Sequence, residues 1–221
     1  MLSREALSAN FSHIEERMAA ACTRAGRARG TVQLIAVSKL HPPEVIRLAH
    51  ALGFRQFGEN YAQELRDKHA ALSDCPGLRW HAIGPVQPKN AKYVAKAAHV
   101  FHALERFEVA QELSKRRAGT ALDCLIEVNV ANEASKAGIT VAATEAFAAQ
   151  IRALPGLRLT GLTTMPPLGE DPRPHFKTLA KLAQTLSLTE LSMGTTDDFE
   201  VAIEEGATYV RIGTALFGPR S

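Results

Sequence analysis

Residues 32–58 read VQLIAVSKLHPPEVIRLAHALGFRQFG and contain one complete strand–helix–strand unit. The apolar run at 32–38 is typical of a strand that is buried on both faces, and a second short run follows at 54–58. Residues 43–52, between the two runs, have a helical pattern. A strand, a crossover helix and a second strand in this order indicate that the two strands pair in parallel.

The same unit repeats along the rest of the chain. We predict eight strands, at 32–38, 54–58, 79–83, 99–102, 122–129, 157–163, 188–192 and 209–212. The helices predicted between them span 43–52, 60–72, 88–97, 106–117, 141–154, 174–186 and 197–205. Eight such strands favour a closed (β/α)8 barrel of the TIM type, an α/β fold that makes residues 1–221 a single domain. An open, doubly wound parallel sheet is the alternative, because the number of strands alone does not show closure.

Residues 3–27 are predicted to form an extra, amphipathic helix before the first strand. Apolar residues recur there at spacings of three or four, at Leu7, Phe11, Ile14, Met18 and Cys22. Only nine residues follow the last predicted strand, which is too few for a full eighth helix. We therefore expect residues 1–30 to pack on the barrel, where they would cover the gap in the helix ring and the bottom of the barrel.

The composition excludes several classes of protein. The chain has 221 residues, a net charge of +3 and 46% hydrophobic residues, which is ordinary for a globular domain. The charge excess is too small to indicate a nucleic-acid or membrane-surface partner. The three cysteines form no CxxC pair, and no HExxH motif is present, so neither a disulfide framework nor a metal site is expected. No apolar run reaches the roughly 18–20 residues of a membrane helix, and the N-terminus does not look like a signal peptide, so we predict a cytoplasmic protein.

Lys39 is the first residue that points to chemistry. In a barrel of this type, functional residues lie where the strands end at the carboxyl face, and Lys39 follows the buried first strand directly. Partial desolvation at such a position lowers the pKa of a lysine amine, which can then attack an aldehyde or ketone. The alternative is a lysine that merely extends its ammonium group from a strand end into solvent.

The last two strands predict a phosphate site. Thr195-x-x-Asp198 has the form of a capping box, with Thr196 an equally good N-cap for the helix predicted at 197–205. The next strand ends in Arg211, Gly213 and Thr214. Amides at a helix N-terminus bind phosphate, and the loops after the seventh and eighth strands form the recurrent phosphate site of TIM barrels. Alternatively, the glycines only make tight turns.

A reactive lysine beside a phosphate site suggests a phosphorylated carbonyl compound that is held as an imine. Pyridoxal phosphate fits this description, and so does the sugar phosphate of an aldolase.

Seven motifs carry a resemblance to a known family. They are AVSK (36–39), FGENY (57–61), WHAIGPVQ (80–87), NxxxxxSKAG (129–138), GLTTM (161–165), LSMG (191–194) followed by two aspartates at 197–198, and RIGTALFG (211–218). Together they resemble the pyridoxal phosphate homeostasis proteins over residues 32–218. The resemblance implies a single-domain barrel of the alanine racemase type without that enzyme's second, β-rich domain. It also implies a role in cofactor homeostasis with no established catalytic reaction.

The resemblance assigns roles to six residues. Lys39 would carry pyridoxal 5′-phosphate as an internal aldimine, and Arg211 would face the pyridine nitrogen. Asn60 would lie near the ring, and the phosphate would be bound by Thr196, Gly213 and Thr214. Thr196 departs from the family pattern, since most relatives have Ser there, but the hydroxyl is retained.

Other positions carry a weaker assignment or none. Lys136 matches a family lysine near the mouth of the site, although a solvated loop lysine is the alternative. Residues 87–90 read QPKN, where relatives usually place the lysine one position later, so no role is assigned to Lys89. Some relatives have a second lysine at the position of His41.

The predicted site restricts the chemistry. A guanidinium cannot accept a proton and disfavours a protonated pyridine ring, so Arg211 makes the cofactor a weak electron sink. Racemisation also needs a base on each face of the ring. Tyr61, His41 and His81 are candidates for the second base, although His81 fits a packed strand histidine better and Tyr61 better fits the start of a helix.

Three functions remain open from the sequence. The first is a non-catalytic protein that buffers pyridoxal 5′-phosphate or delivers it to apoenzymes that depend on it. The second is an amino-acid racemase that uses the same cofactor, and the third is an aldolase without it. The motifs favour the first. We expect a monomer, because the chain shows no heptads and no long exposed apolar stripe.

Overall fold

The computed structural model describes residues 2–117, 119–133 and 136–218. Its central sheet has eight strands that surround a common interior: β1 Gln33–Val37, β2 Gln56–Glu59, β3 Arg79–Ala82, β4 Val100–Leu104, β5 Leu122–Asn129, β7 Leu157–Thr163, β8 Glu190–Ser192 and β9 Tyr209–Ile212. A two-residue strand, β6 (Ile139–Thr140), pairs with the end of β5 alone. β6 is not predicted from the sequence, because two residues are too few to show a periodic pattern.

The barrel is closed, and all of its strand pairs are parallel. β1 pairs with β9, so that Gln33 lies opposite Tyr209, and β4 pairs with β5, so that Val100 lies opposite Asp123. With both of these pairings the eight strands form an unbroken ring and leave no free sheet edge. The predicted single-domain (β/α)8 barrel is confirmed, and the open doubly wound alternative is wrong.

Helices cover the outside of the barrel: α1 Arg4–Arg24, α2 Pro43–Ala51, α3 Ala62–Ala71, α4 Ala91–Ala97, α5 Phe107–Arg116, α6 Thr144–Arg152, α7 Arg173–Thr185, α8 Phe199–Glu204 and α9 Thr214–Phe217. Within the part of the chain that the structure describes, no helix is both long and apolar enough to cross a membrane.

Most predicted boundaries agree with the structure to within two residues, and the exceptions have local causes. The helix predicted at 3–27 ends at Arg24, because Gly26 takes a left-handed φ of +63°. The helix predicted at 88–97 is divided into a 3-10 turn, Pro88–Asn90, and α4. The helix predicted at 141–154 likewise begins with a 3-10 turn, Val141–Ala143. Hydrophobic spacing does not distinguish a 3-10 turn from the first turn of an α-helix, so the pattern merged the two.

The N-terminal helix α1 contacts α2, α8 and α9. It buries five side chains of its own, namely Leu7, Ile14, Met18, Ala21 and Cys22. Arg27, just after the helix, donates hydrogen bonds to the carbonyl oxygens of Ile203 and Ala207 at 2.7 and 2.8 Å. The ring of Phe11 packs edge-on against Phe54, which precedes β2. Because α9 is a single turn, α1 supplies much of the apolar cover beside α8.

A buried polar cluster lies inside the barrel. His81 of β3 and Tyr209 of β9 are in ring contact although their strands are not neighbours, so both side chains point into the interior. His81 Nδ1 lies 2.8 Å from His102 Nε2, and His81 Nε2 lies 2.7 Å from Gln56 Oε1. Burial lowers the pKa of His81 to about 3 and holds that of His102 well below its ordinary value, so both rings are neutral at pH 7.

Candidate functional site

A cavity of about 530 Å³ opens at the carboxyl ends of the strands. All six residues assigned to the site from the sequence line it: Lys39, Asn60, Thr196, Arg211, Gly213 and Thr214. The other residues that line the cavity are Val37, Ile83, Gly84, Pro85, Glu127, Met165, Thr195 and Asp197. The closed barrel brings these groups together because parallel strands of similar length end on the same face.

Lys39 lies in the turn that follows β1 and is half-buried. Its neighbours differ sharply in exposure, since Ser38 is fully buried and Leu40 is 55% exposed. The chain therefore passes from the buried core to the surface within three residues. Lys39 occupies the middle of this passage, which places its side chain on the wall of the cavity.

Arg211 is the buried cation of the cavity, with only 7% of its surface exposed. Nη1 donates to Ser192 Oγ, Ser192 O and Thr163 Oγ1 at 2.6, 2.7 and 3.0 Å. Nη2 contacts Thr164 O at 3.0 Å and Met165 Sδ at 2.9 Å. Burial lowers the pKa of Arg211, but a guanidinium remains charged at neutral pH. These contacts fix the plane of the guanidinium, and the described residues supply no acceptor for its Nε–H.

Glu127 of β5 lines the same cavity and is the main site residue that the sequence analysis missed. Burial raises its pKa to about 7, and the negative charge of Glu105 adds to the rise, whereas Arg211 opposes it. Glu127 Oε2 is buried without a hydrogen-bond partner among the described residues. An acidic residue inside the apolar run at 122–129 was the available signal, but only strand ends were considered.

The loop after β8 differs in detail from the prediction. α8 begins at Phe199 with Asp198 as its N-cap, not at Thr195 or Thr196. Asp198 Oδ1 accepts hydrogen bonds from the amide and the hydroxyl of Thr195 at 2.5 and 3.0 Å, so the Thr195 amide is not available to a ligand. In the described structure the amides of Thr196 and Asp197 have no such acceptor. The predicted N-cap, Thr195 or Thr196, is therefore wrong, and the amides of this loop that can meet an anion are those of Thr196 and Asp197.

Asn60 is placed by a close backbone approach. An added Cβ on Gly84 would lie only 2.3 Å from the carbonyl oxygen of Asn60, which is closer than any real side chain could come. Glycine at position 84 therefore lets the loop after β3 pack directly on the backbone of Asn60. Both residues line the cavity.

The three side chains considered as a second base lie elsewhere. His41 and Tyr61 line a separate, shallow groove beside the cavity. His81 is buried in the barrel interior, bonded to His102 and Gln56, as expected for a packed strand histidine.

The two lysines with weaker assignments are also outside the cavity lining. Lys136 is half-buried, and its Nζ donates to Pro166 O at 3.0 Å and lies 2.8 Å from Glu133 Oε1. Lys89 is exposed in the turn Pro88–Asn90. Ser135, part of the motif at 129–138, lies outside the described residues.

Comparison with known proteins now identifies the family. The family described as "Alanine racemase, N-terminal domain" matches residues 3–221. The pyridoxal phosphate homeostasis protein of Pseudomonas aeruginosa is 45% identical, over 97% of this chain and 96% of that protein. This chain belongs to the pyridoxal phosphate homeostasis protein family. The member from Aquifex aeolicus is 42% identical over 95% of this chain and 96% of its own length.

A solved structure of a related protein supports the same assignment. PipY of Synechococcus elongatus, determined with pyridoxal phosphate (PLP) bound, is 34% identical and superposes with a TM-score of 0.79. The match covers 93% of this chain and all of PipY. The resemblance that the seven sequence motifs carry is therefore confirmed at the level of family and of fold.

Proposed function

We propose that this chain binds PLP in the cavity at the carboxyl face and serves PLP homeostasis in the cytoplasm. One observation carries the proposal: a lysine, a buried arginine and two hydroxyl-bearing loops converge on one cavity. Membership of the pyridoxal phosphate homeostasis protein family supports it, as does the PLP bound to PipY. We propose residues 1–221 as the single PLP-binding unit.

The lining residues fit PLP in size and chemistry. Small-molecule cavities typically measure about 300–1,000 Å³, and this one measures about 530 Å³. The hydroxyls of Thr196 and Thr214 and the amides of Thr196 and Gly213 are suited to donate hydrogen bonds to phosphate oxygens. The methyl group that distinguishes Thr196 from serine leaves this donor in place.

Lys39 is the proposed attachment point. Its amine nitrogen would add to the aldehyde carbon of PLP with loss of water, and water would reverse the reaction on release. When bound, PLP supplies an electrophilic carbon conjugated to an electron-withdrawing ring. A reversible covalent bond, together with hydrogen bonds to the phosphate from hydroxyls and backbone amides, suits a protein that holds and returns its ligand.

Arg211 is proposed to hold the pyridine nitrogen in its unprotonated form. The Nε–H group can donate to that nitrogen, whereas the guanidinium has no lone pair with which to accept a proton. The contacts with Ser192 and Thr163 keep the group in one orientation. Stabilisation of negative charge on the ring would then be weak, which supports carriage of PLP over racemisation.

The visible spectrum of the wild-type protein and of Lys39→Ala, before and after borohydride, tests the attachment. We expect a yellow wild-type protein that bleaches on reduction, and a variant without the lysine-bound absorption band. Lys136→Ala is the matched control and should remain yellow. A wild-type protein that stays colourless with added PLP would contradict the proposal.

A transfer assay tests delivery. Loaded protein is mixed with a PLP-dependent apoenzyme, and recovery of enzyme activity is compared with recovery from the same total concentration of free PLP. Delivery predicts faster recovery with the protein, and equal rates would contradict it. Exchange of the α-proton of an amino acid with solvent deuterium, lost in Lys39→Ala, would instead favour the racemase alternative.

A further inference from the structure

A buried ionic cluster lies behind the turn that carries Lys39. We call it the Lys68 cluster, and it consists of Lys68, Glu59 and Glu64. The side chains of Lys68 and Glu59 are 5% and 0% exposed, and that of Glu64 is 21% exposed. None of the three lines the cavity described above, so the proposed binding of PLP leaves the cluster without a role.

The ammonium group of Lys68 has a full set of acceptors. Nζ donates to Glu59 Oε1 at 2.8 Å, to Glu64 Oε1 at 2.7 Å and to the carbonyl oxygen of Ser38 at 2.7 Å. A lysine ammonium has three hydrogens, and each acceptor lies in a different direction. The position of Lys68 is therefore determined by β2, by its own helix α3 and by the end of β1 at the same time.

The two carboxylates of the cluster also hold the residues on either side of Lys39. Ser38 Oγ donates to Glu59 Oε1 at 2.6 Å, and the backbone amide of Leu40 donates to Glu64 Oε1 at 2.7 Å. With the bond from Lys68 to Ser38 O, the chain is anchored immediately before and immediately after Lys39. This arrangement leaves the Lys39 side chain on the opposite side, toward the cavity.

The backbone of this turn is strained. Leu40 has a φ of +64°, in the left-handed region that residues with a Cβ rarely adopt. Such a conformation persists only where surrounding contacts determine it, and the side chain of Leu40 is 55% exposed, so packing contributes little. Two hydrogen bonds hold the strained residue in place: the Leu40 amide donates to Glu64 Oε1 at 2.7 Å, and the His41 amide closes the turn by donating to Ser38 O at 3.0 Å.

The charges of the cluster are costly for stability, which argues for a role in geometry. Burial raises the pKa of Glu59 to about 7 although Lys68 and Ser38 both donate to its carboxylate. Glu59 Oε2 is buried without a partner among the described residues. Replacing a buried ionic cluster by apolar side chains is often neutral or stabilising, so stability alone does not explain this one.

We propose that the Lys68 cluster positions Lys39 for bond formation with an aldehyde ligand. Its three members are positioning residues: they touch the turn and not the ligand. They fix the backbone at 38–40 so that the amine of Lys39 meets the aldehyde carbon, where the C–N bond forms and water leaves. The inference rests on the proposed function, since it takes Lys39 as the attachment point of PLP.

Two ligands separate positioning from general structural support. Pyridoxine 5′-phosphate has the ring and phosphate of PLP but an alcohol in place of the aldehyde, so it can bind but cannot bond to Lys39. The full-length chain is freed of cofactor, and three quantities are measured. They are the rate of lysine-bond formation with PLP by stopped-flow absorbance, and the affinities for PLP and for pyridoxine 5′-phosphate.

Glu64→Ala removes the acceptor of the Leu40 amide at the more exposed end of the cluster. We expect bond formation with PLP to slow by about 10- to 100-fold, the range that a misplacement on the order of 1 Å produces. We expect the affinity for pyridoxine 5′-phosphate to change less than about twofold, because the contacts of Thr196 and Arg211 remain. Glu64→Gln retains a carbonyl oxygen that can accept from Leu40, and it should recover most of the rate.

A second variant covers the chance that loss of a single charge unfolds the protein. Lys68→Met combined with Glu59→Gln and Glu64→Met removes all three charges together, leaves no unpaired ion and also removes the acceptor of the Leu40 amide. It should fold, judged by circular dichroism, and should also show slow bond formation. Lys115→Met, which breaks a surface ion pair with Glu112, is the matched control and should react like the wild type.

The possible outcomes are distinct. Wild-type rates in both cluster variants would overturn the inference and leave the proposed function intact. Equal losses of affinity for both ligands would also overturn it, because they would indicate a general structural role. Failure of the wild-type protein to bond PLP at Lys39 would overturn the proposed function and this inference together.

Discussion

The surroundings of Glu127 and Arg211 determine whether each buried side chain keeps its charge at neutral pH. Both line the same cavity, and each is a charged residue within a strand. Arg211 has polar partners for both terminal nitrogens and keeps its charge. Glu127 has an unpartnered buried oxygen, and burial raises its pKa from 4.5 to about 7. At neutral pH Arg211 is therefore a fixed positive charge, whereas Glu127 gains or loses a proton.

The raised pKa of Glu127 predicts how stability depends on pH. The folded state holds a proton on Glu127 up to about pH 7, whereas the unfolded state loses it near pH 4.5. The stabilising contribution of this proton is therefore complete below about pH 4.5 and is lost as the pH rises to about 7. Glu127→Gln mimics the protonated form at every pH. We expect its advantage in free energy of unfolding over the wild type to grow by about 2 kcal/mol between pH 5 and pH 8.

Urea unfolding of the cofactor-free protein at both pH values measures this difference. Glu108→Gln, at an exposed position on α5, is the matched control and should show little change with pH. A Glu127→Gln variant whose advantage shrinks as the pH rises would contradict the assignment of a raised pKa.

At the scale of elements, α1 and α7 end in the same hydrogen-bonded turn, with Gly26 in the left-handed position of the first and Ser187 in that of the second. After α1, the amide of Gly26 bonds to Thr23 O and that of Arg27 to Cys22 O. After α7, the corresponding amides of Ser187 and Leu188 bond to the carbonyl oxygens of the last turn. Both ends have the Schellman arrangement, which requires a left-handed residue. This use of Leu188 explains why β8 begins at Glu190 and not at the predicted residue 188.

Substitutions at the two left-handed positions, Gly26 and Ser187, should change the free energy of unfolding in opposite directions. Gly26 has a φ of +63° and Ser187 one of +53°, but only glycine adopts this region without strain. Ser187→Gly should raise the free energy of unfolding by about 0.5–1 kcal/mol, and Gly26→Ala should lower it by about 1 kcal/mol. An alanine Cβ at position 26 would have no atom within 4 Å, so the loss would report the backbone alone. Denaturant midpoints measure both, and destabilisation by Ser187→Gly would refute the argument.

At the scale of the whole molecule, the helix ring is completed from the other end of the chain. Among the described residues, which end at 218, β9 is followed by the single turn of α9, and α1 contacts both α9 and α8. Ion pairs join α1 to α8, from Arg17 to Glu200 and from Arg24 to Glu204. Exposed ion pairs contribute little to stability, however, so most of the free energy that holds α1 on the barrel comes from its buried apolar side chains.

Removal of the N-terminal helix should therefore damage the entire domain. Deletion of residues 1–27 removes three large, fully buried side chains, Leu7, Ile14 and Met18, and uncovers the surface they pack on. Each such side chain contributes about 1.5–3 kcal/mol on burial, and a typical domain is stable by only about 5–15 kcal/mol. We expect the truncated chain to aggregate, as measured by size-exclusion chromatography. The double variant Arg17→Met/Arg24→Met removes the ion pairs and the contact of Arg17 with the Phe199 ring but keeps the buried apolar face of α1, so it should stay soluble. A soluble, fully folded truncation would contradict this expectation.

The sequence by itself determined the order of strands and helices, the barrel class and six residues of the cavity. The order of the elements and the barrel class follow from local patterns and from one geometric fact: parallel strands that alternate with helices end on the same face. The six residues were assigned to the site by the resemblance to a known family. Lys39 lies in the loop after β1, Thr196 in the loop after β8 and Arg211 near the end of β9, which is consistent with their meeting in one cavity.

Only the tertiary structure decided the features that depend on residues far apart in the chain. Closure required β1 to pair with β9, which no local pattern specifies. The direction of the Glu127 side chain depends on the register of β5, and a shift of one residue would turn it away from the cavity. The anchoring of residues 38–40 depends on Lys68, thirty positions along the chain. Hydrophobic periodicity indicates which face of a helix or strand is buried, but it does not indicate which other element packs against that face.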